Sequence, residues 1–287
     1  MRMENIFMWV QFRRTGRIKS SHQKNPVICC CMKRPFVSLA LGLCAVLSPG
    51  FGFSQLFVNE TFDYPDTATL LTKWNNSTGL SLDTALGNPA PAGGHSGAAS
   101  AHTWIGSSFS ITPTDSNPLI LSGDVWYSGN NNQRNTIGLR TGANPLFEMG
   151  FYNQATPSAN GLAVRLLGIG GVGGAWNELA SYTTLGTGSA AAQWIHLEAT
   201  FTAKSATVRW DLGVDGIYDG SQTWTGTANV LPFSDLRFGG PSGVSSTGGG
   251  FLVDNIRLEV VSVPEPAAAT LLGIGLAGFI AFRRWRK

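Results

Sequence analysis

The stretch WIHLEATFTAKSATVRWDL, residues 194–212, alternates twice. Ile195, Leu197, Ala199 and Phe201 take one side of an extended chain, and Trp194, His196, Glu198 and Thr200 take the other. Past the polar residues 202–205 the pattern resumes, with Ala206, Val208, Trp210 and Leu212 opposed to Thr207, Arg209 and Asp211. Successive side chains of a strand point to opposite faces, so a strict apolar/polar alternation predicts half-buried β-strands.

Working outward, the same period recurs. Phe147, Met149 and Phe151 form one apolar row, Leu162, Val164 and Leu166 another, and Leu119, Leu121, Val125 and Tyr127 a longer one that Gly123 is expected to break. Helical periodicity is almost absent between residues 55 and 262. Gly- and Asn-rich segments separate the rows: residues 128–132, 168–174, Asp215-Gly216 and 242–250. Such segments supply the positive φ angles of turns. Many short strands joined by polar turns predict an all-β fold, an antiparallel β-sandwich or jelly roll.

The two ends read differently. Residues 267–282 carry no charge, and Arg283, Arg284, Trp285, Arg286 and Lys287 follow at once. As a single transmembrane helix this run reaches about 24 Å, slightly short of the ~30 Å hydrocarbon core, and the arginines extend it by snorkelling. The basic end stays cytoplasmic, which leaves Val263 and everything before it outside. Ala269, Gly273, Ala277 and Ala281 recur every four residues along it, a ridge on which another membrane helix can pack. Pro264 and Pro266 hold Glu265 in an extended segment that suits a protease cleft.

Pro264-Glu265-Pro266, the apolar helix and the arginine cluster together resemble the PEP-CTERM sorting signal of bacterial export proteins. The resemblance covers about the last 25 residues. It implies an exosortase-type membrane protease as partner, with delivery to the cell envelope or extracellular matrix, and it makes Pro264, Glu265, Pro266, Arg283 and Arg284 the sorting motif. A permanent single-span anchor is the alternative.

Upstream, Met32-Lys33-Arg34, the apolar run 35–47 and Gly52-Phe53-Ser54 follow the order of a secretory signal peptide, residues 32–54, with cleavage expected after Ser54. Residues 1–31 then read as an over-long start or a basic extension. All four cysteines (Cys29, Cys30, Cys31 and Cys44) precede the expected cut, so the mature chain has no thiol for disulfides, metal or catalysis. Residues 55–262 hold 8 Lys and Arg against 15 Asp and Glu, a formal charge of −7, which argues against nucleic acid as a partner.

LFVNETFDY at 56–64, WIHLEA at 194–199 and FLVDNIRL at 251–258 resemble concanavalin A-like, laminin-G-type jelly rolls. That resemblance implies two curved sheets with the first and last strands close together, and no single activity.

Within this frame, strand phase singles out two acids. Leu56, Val58, Glu60 and Phe62 share a face, as do Leu252, Asp254, Ile256, Leu258 and Val260, so each apolar face holds one carboxylate. A buried ionised acid needs a cation, an arginine or backbone donors. If the strands are neighbours, Glu60 and Asp254 share a structural Ca²⁺; if a bulge or strand end intervenes, each acid turns to solvent. Residues 211–220 resemble a calcium loop superficially, but Gly213 and Gln222 occupy two ligand positions, and Asp215-Gly216 reads better as a hairpin turn.

No catalytic motif is present. Glu148, Glu178 and Glu198 stand alone, and His95, His102 and His196 show no ligand spacing. Trp126 with Asp124, and Trp194 with His196, occupy the polar phase of their strands, where a ring can stack on a sugar and its neighbours can bond hydroxyls. The competing use of these tryptophans is core filling. Trp176 and Trp224, near Gly-rich loops, are further candidates. The expected function is a non-enzymatic surface or matrix protein acting in exopolysaccharide interaction or scaffolding. The alternatives are a carbohydrate-binding module and, third, a divergent polysaccharide hydrolase or lyase.

Overall fold

A computed structural model describes residues 54–75, 79–88, 93–96, 101–155, 158–240 and 251–262, together with Arg283. The proposed signal peptide before Ser54, the motif residues Pro264, Glu265, Pro266 and Arg284, and the helix 267–282 lie outside the described residues. Among the described residues no helix is long and apolar enough to cross a membrane.

The alternating rows become strands of two antiparallel sheets. In the first, β1 (Ser54–Glu60), β3 (Leu80–Asp83), β4 (Gly93–Ser96), β6 (Leu119–Tyr127), β11 (Gln193–Phe201), β12 (Ser205–Leu212), β13 (Gly220–Thr225) and β15 (Phe251–Val261) run in the order β13-β12-β11-β6-β15-β4-β3. Strand β1 also pairs with β15, from Ser54 opposite Val261 to Glu60 opposite Ile256. The first and last strands are therefore neighbours, as the resemblance implied. The second sheet orders β2 (Trp74–Asn75), β5 (Ala101–Trp104), β7 (Asn135–Thr141), β8 (Asn144–Ala155), β9 (Ser158–Leu166), β10 (Trp176–Ser181) and β14 (Asp235–Gly239) as β10-β9-β8-β7-β14-β5-β2.

The core lies between the sheets and takes the apolar phases read from sequence. Ile195, Leu197, Ala199 and Phe201 from β11 meet Phe147, Met149, Phe151, Leu162 and Val164 from the opposite sheet in one buried cluster. Phe147 and Phe201 touch edge to face, with centroids 4.8 Å apart. Full burial of each such side chain contributes about 1.5–3 kcal/mol.

Three sequence expectations change. Gly123 does not break β6, which pairs continuously with β11 from Leu119 to Tyr127. It faces the core, where an added Cβ would lie 2.7 Å from Ile137 Cδ1 and 3.4 Å from Ile256 Cγ1, so the glycine leaves room for two isoleucines. A register shift between Leu56 and Val58 turns Leu56 out to 48% exposure. A second shift, between Asp254 and Arg257, sits at Asn255, whose φ is +50°. One extra residue reverses strand phase. Ile256 and Leu258 therefore join Phe251 and Val253 in the core, and Asp254 faces the opposite side.

Candidate functional site

On the outer face of the eight-stranded sheet, register aligns one residue from each of four adjacent strands. Asp211 on β12 pairs with His196 on β11, His196 with Asp124 on β6, and Asp124 with Asp254 on β15. The neighbouring residues Val125, Ile195 and Val253 point into the core, so this transverse row points away from it. Its three carboxylates are buried, at 2–3% exposure, while the His196 side chain keeps 25% of its surface.

Burial on an outer face needs a cover and donors. Asp83 supplies the cover by accepting the N–H groups of Ala85 and Leu86, a turn that carries Asn88 back over the sheet. The Asn88 backbone N–H donates to Asp254 Oδ2 at 2.8 Å, and its amide Nδ2 donates to Asp124 Oδ2 at 2.9 Å. From the bulge, Asn255 donates its backbone N–H to Asp254 Oδ1 at 2.8 Å and its Nδ2 to Asp124 Oδ2 at 2.7 Å. His196 Nδ1 completes the set, donating to Asp124 Oδ1 at 2.5 Å. Asp211 is held separately by the backbone N–H groups of Asp215 and Gly216 in the β12–β13 hairpin.

Charge follows from this wiring. Burial, reinforced by the charges of Asp124 and Asp63, pushes the Asp254 carboxyl up to about 7 despite its two backbone donors. Burial pulls His196 down, but the hydrogen bond and charge of Asp124, with Glu198 and Asp211 nearby, leave it raised on balance. With Nδ1 committed to Asp124, Nε2 is the ring nitrogen left for a ligand.

Aromatic groups flank the row. Trp126 and Trp194, paired across β6 and β11, meet edge to face at 5.5 Å and 60°, and both are half-buried. Trp194 extends as far as Gly93 on β4, where an added Cβ would lie 3.8 Å from its ring. On the other side Tyr218 lies 6.4 Å from His196, donates its hydroxyl to Glu198 Oε2 at 3.0 Å, and carries the Arg209 guanidinium 4.3 Å from its ring centre. Arg209 is also paired with Glu198.

The structure thus gathers Asp124, Trp126, Trp194 and His196, as strand phase proposed, and adds Asp254 to them. It separates Glu60 from Asp254. Glu60 lies opposite Ile256 on the core side, where its carboxylate accepts from Phe62 N at 2.7 Å, Tyr64 OH at 2.6 Å and Trp74 Nε1 at 3.0 Å. The shared Ca²⁺ drawn from these two acids is therefore corrected: the bulge at Asn255 puts them on opposite faces, and protein donors hold each carboxylate. Among the described residues no group of three or more acidic, histidine or cysteine side chains is arranged to hold a metal. Trp176 stacks on Tyr152 at 4.1 Å in the second sheet, and Trp224 packs against the core. Asn88, Asn255 and Tyr218 carried no sequence signal, because each reaches the row through a turn or a bulge.

The family model described as the PEP-CTERM protein-sorting motif matches residues 262–287, beginning where β15 ends. The tail is a PEP-CTERM sorting motif. A PEP-CTERM tail marks an exported protein, held in the membrane by its C-terminal region until an exosortase processes it, and thereafter at the cell surface. No curated protein matches the chain. Similar solved structures include the CBM2 module of the evolved Dit of Lactobacillus casei BL23 phage J-1, at 12% identity over 74% of this chain and 98% of that one, TM-score 0.45. Domain 4 of AbnA, a GH43 extracellular arabinanase from Geobacillus stearothermophilus in complex with arabinotriose, gives 14% over 74% and 95%, TM-score 0.37. Peanut lectin gives 9% over 74% and 97%, TM-score 0.38. Upstream of the PEP-CTERM tail the domain is an antiparallel β-sandwich of two sheets.

Proposed function

We propose that this exported protein is a non-catalytic surface protein that holds extracellular polysaccharide on the outer face of its eight-stranded sheet. The observation that carries the reading is the placement of Trp126 and Trp194 beside the Asp211–His196–Asp124–Asp254 row. Partly open indole rings give a sugar an apolar platform, and His196 beside them gives a hydroxyl a polar partner. The non-catalytic part rests on the wiring of the acids. Asp124 and Asp254 are covered by Asn88 and bonded by Asn255, which leaves neither open to a glycosidic oxygen. Retention by the exosortase pathway would then place a glycan-binding domain in the envelope or matrix, where it scaffolds polymer.

Titration of the detergent-solubilised full chain with a panel of extracellular polysaccharides tests this. The wild type is expected to bind at least one polymer, and Trp194→Ala to weaken that binding by about tenfold, a loss of about 1.4 kcal/mol, while the fold persists. Equal binding by wild type and the Trp126→Ala/Trp194→Ala pair would overturn the assignment of the face. Release of reducing or unsaturated sugar ends would overturn the non-catalytic reading.

A further inference from the structure

The outer face carries a charge pattern that bears on which glycans it accepts. Besides Asp211, Asp124 and Asp254, Glu198 comes to the same face one step along β11, and Glu259 two steps along β15, past Arg257. Against these carboxylates stand Arg209, Arg257, His196 and, further along on β4 opposite Leu252, His95. Both arginines are already committed. Arg209 pairs with Glu198 and lies over Tyr218. Arg257 holds Glu259 with two bonds, Nε to Oε1 at 3.0 Å and Nη2 to Oε2 at 2.7 Å. Each guanidinium charge is thus already balanced by a carboxylate of the same face, although N–H donors remain on both. His196, the cation nearest the tryptophans, shares its proton with Asp124.

We propose that this face selects glycans without acidic groups, and that uronate-bearing polymers are excluded from it. The inference rests on the glycan-binding reading above and deepens it to a ligand class. A uronate lying across Trp194 and His196 would bring its carboxylate beside the acidic row, where each guanidinium of the face is already balanced by its own carboxylate, so repulsion is not offset. A neutral sugar meets no such penalty. A hydroxyl reaches the partly open His196 ring, while the sugar ring lies on the indoles. Contacts of that kind are short-ranged and nearly independent of salt.

The test compares the full chain in detergent against a neutral polymer set (a glucan, a mannan and a galactan) and against polygalacturonate, at low and high salt. The wild type is expected to bind a neutral polymer with less than about a threefold change between the two salt conditions, and polygalacturonate at least about tenfold more weakly. Glu198→Gln releases the Arg209 guanidinium, and binding of polygalacturonate should rise about tenfold, with the gain lost at high salt. Glu259→Gln releases Arg257 in the same way and serves if the first variant does not fold. Wild-type binding of polygalacturonate as tight as that of the neutral set, or no gain in either released-arginine variant, overturns the selection while leaving glycan binding intact. Silence toward every polymer overturns both readings.

Discussion

Asp254 and Asp124 face each other across β15 and β6 as two buried carboxylates, held by donors from the same two asparagines, Asn88 and Asn255. His196 adds a proton to this pair from the β11 side. Burial above all, with the nearby charge of Asp124 adding to it, raises Asp254 to about 7.

Stability should therefore fall as pH rises through neutrality. The folded state keeps a proton on Asp254 up to about 7 where the unfolded chain loses it near 3.8, and His196 is likewise raised in the fold. The native state then binds more protons than the unfolded state, which makes unfolding easier with increasing pH. His102 works the other way: burial lowers it to about 4, so acid favours the unfolded chain below the ordinary histidine value of 6.5. The two effects oppose one another in mild acid and leave a net decline above it. Thermal melts from about pH 5 to 9 should show the midpoint dropping above about pH 6.5. Asp254→Asn should flatten that drop.

Asn255 combines a left-handed backbone with a side-chain donor, and the two can be separated. Asn255→Gly keeps the φ of +50° at no steric cost and loses the bond to Asp124, while Asn255→Ala loses both. Glycine is expected to cost about 1–2 kcal/mol and alanine about 1–2 kcal/mol more, measured by chemical denaturation. Equal costs would show that backbone conformation is not what asparagine supplies here.

Glu60 anchors three donors beneath the sheet. Glu60→Ala leaves Phe62 N–H, Tyr64 OH and Trp74 Nε1–H without their acceptor in the interior and should destabilise by about 3–5 kcal/mol. Because protein N–H and O–H groups serve this carboxylate and those of Asp124 and Asp254, millimolar calcium or a chelator should leave the melting temperature unchanged. A calcium-dependent rise of several degrees would return a metal to one of these acids.

Gly123→Val should be among the costliest core changes. The first added carbon lies 2.7 Å from Ile137 Cδ1 and already touches Ile256 at 3.4 Å, so the two valine methyls must displace Ile137, and overpacking of this kind costs about 1–3 kcal/mol. Ile137→Ala combined with Gly123→Val should recover part of the loss. Failure of any recovery would place the clash elsewhere.

Alternation made the sandwich legible wherever a strand runs unbroken. In β11 the residues Ile195 to Phe201 alternate as written, because nothing interrupts the ladder to β6 and β12. The same logic failed in β15, where Asn255 inserts one residue and exchanges the faces of Asp254 and Ile256. A period of two carries no memory across an insertion, so the pairing of Glu60 with Asp254 could not survive it. The tryptophan and histidine candidates were legible because β6 and β11 keep phase. Their alignment with Asp211 and Asp254 was not, since cross-strand register depends on hairpin geometry and on contacts as distant as Asn88 to Asp254.

Finally, Ser54 lies opposite Val261, so the chain enters and leaves the sandwich at one pole. Asp254 stands seven residues up the same strand from Val261, a climb of about 23 Å at 3.3 Å per residue. A glycan on the proposed face would therefore sit well clear of the strand end at which the sorting motif begins, so that the surface meant for polymer and the segment meant for processing do not compete for space.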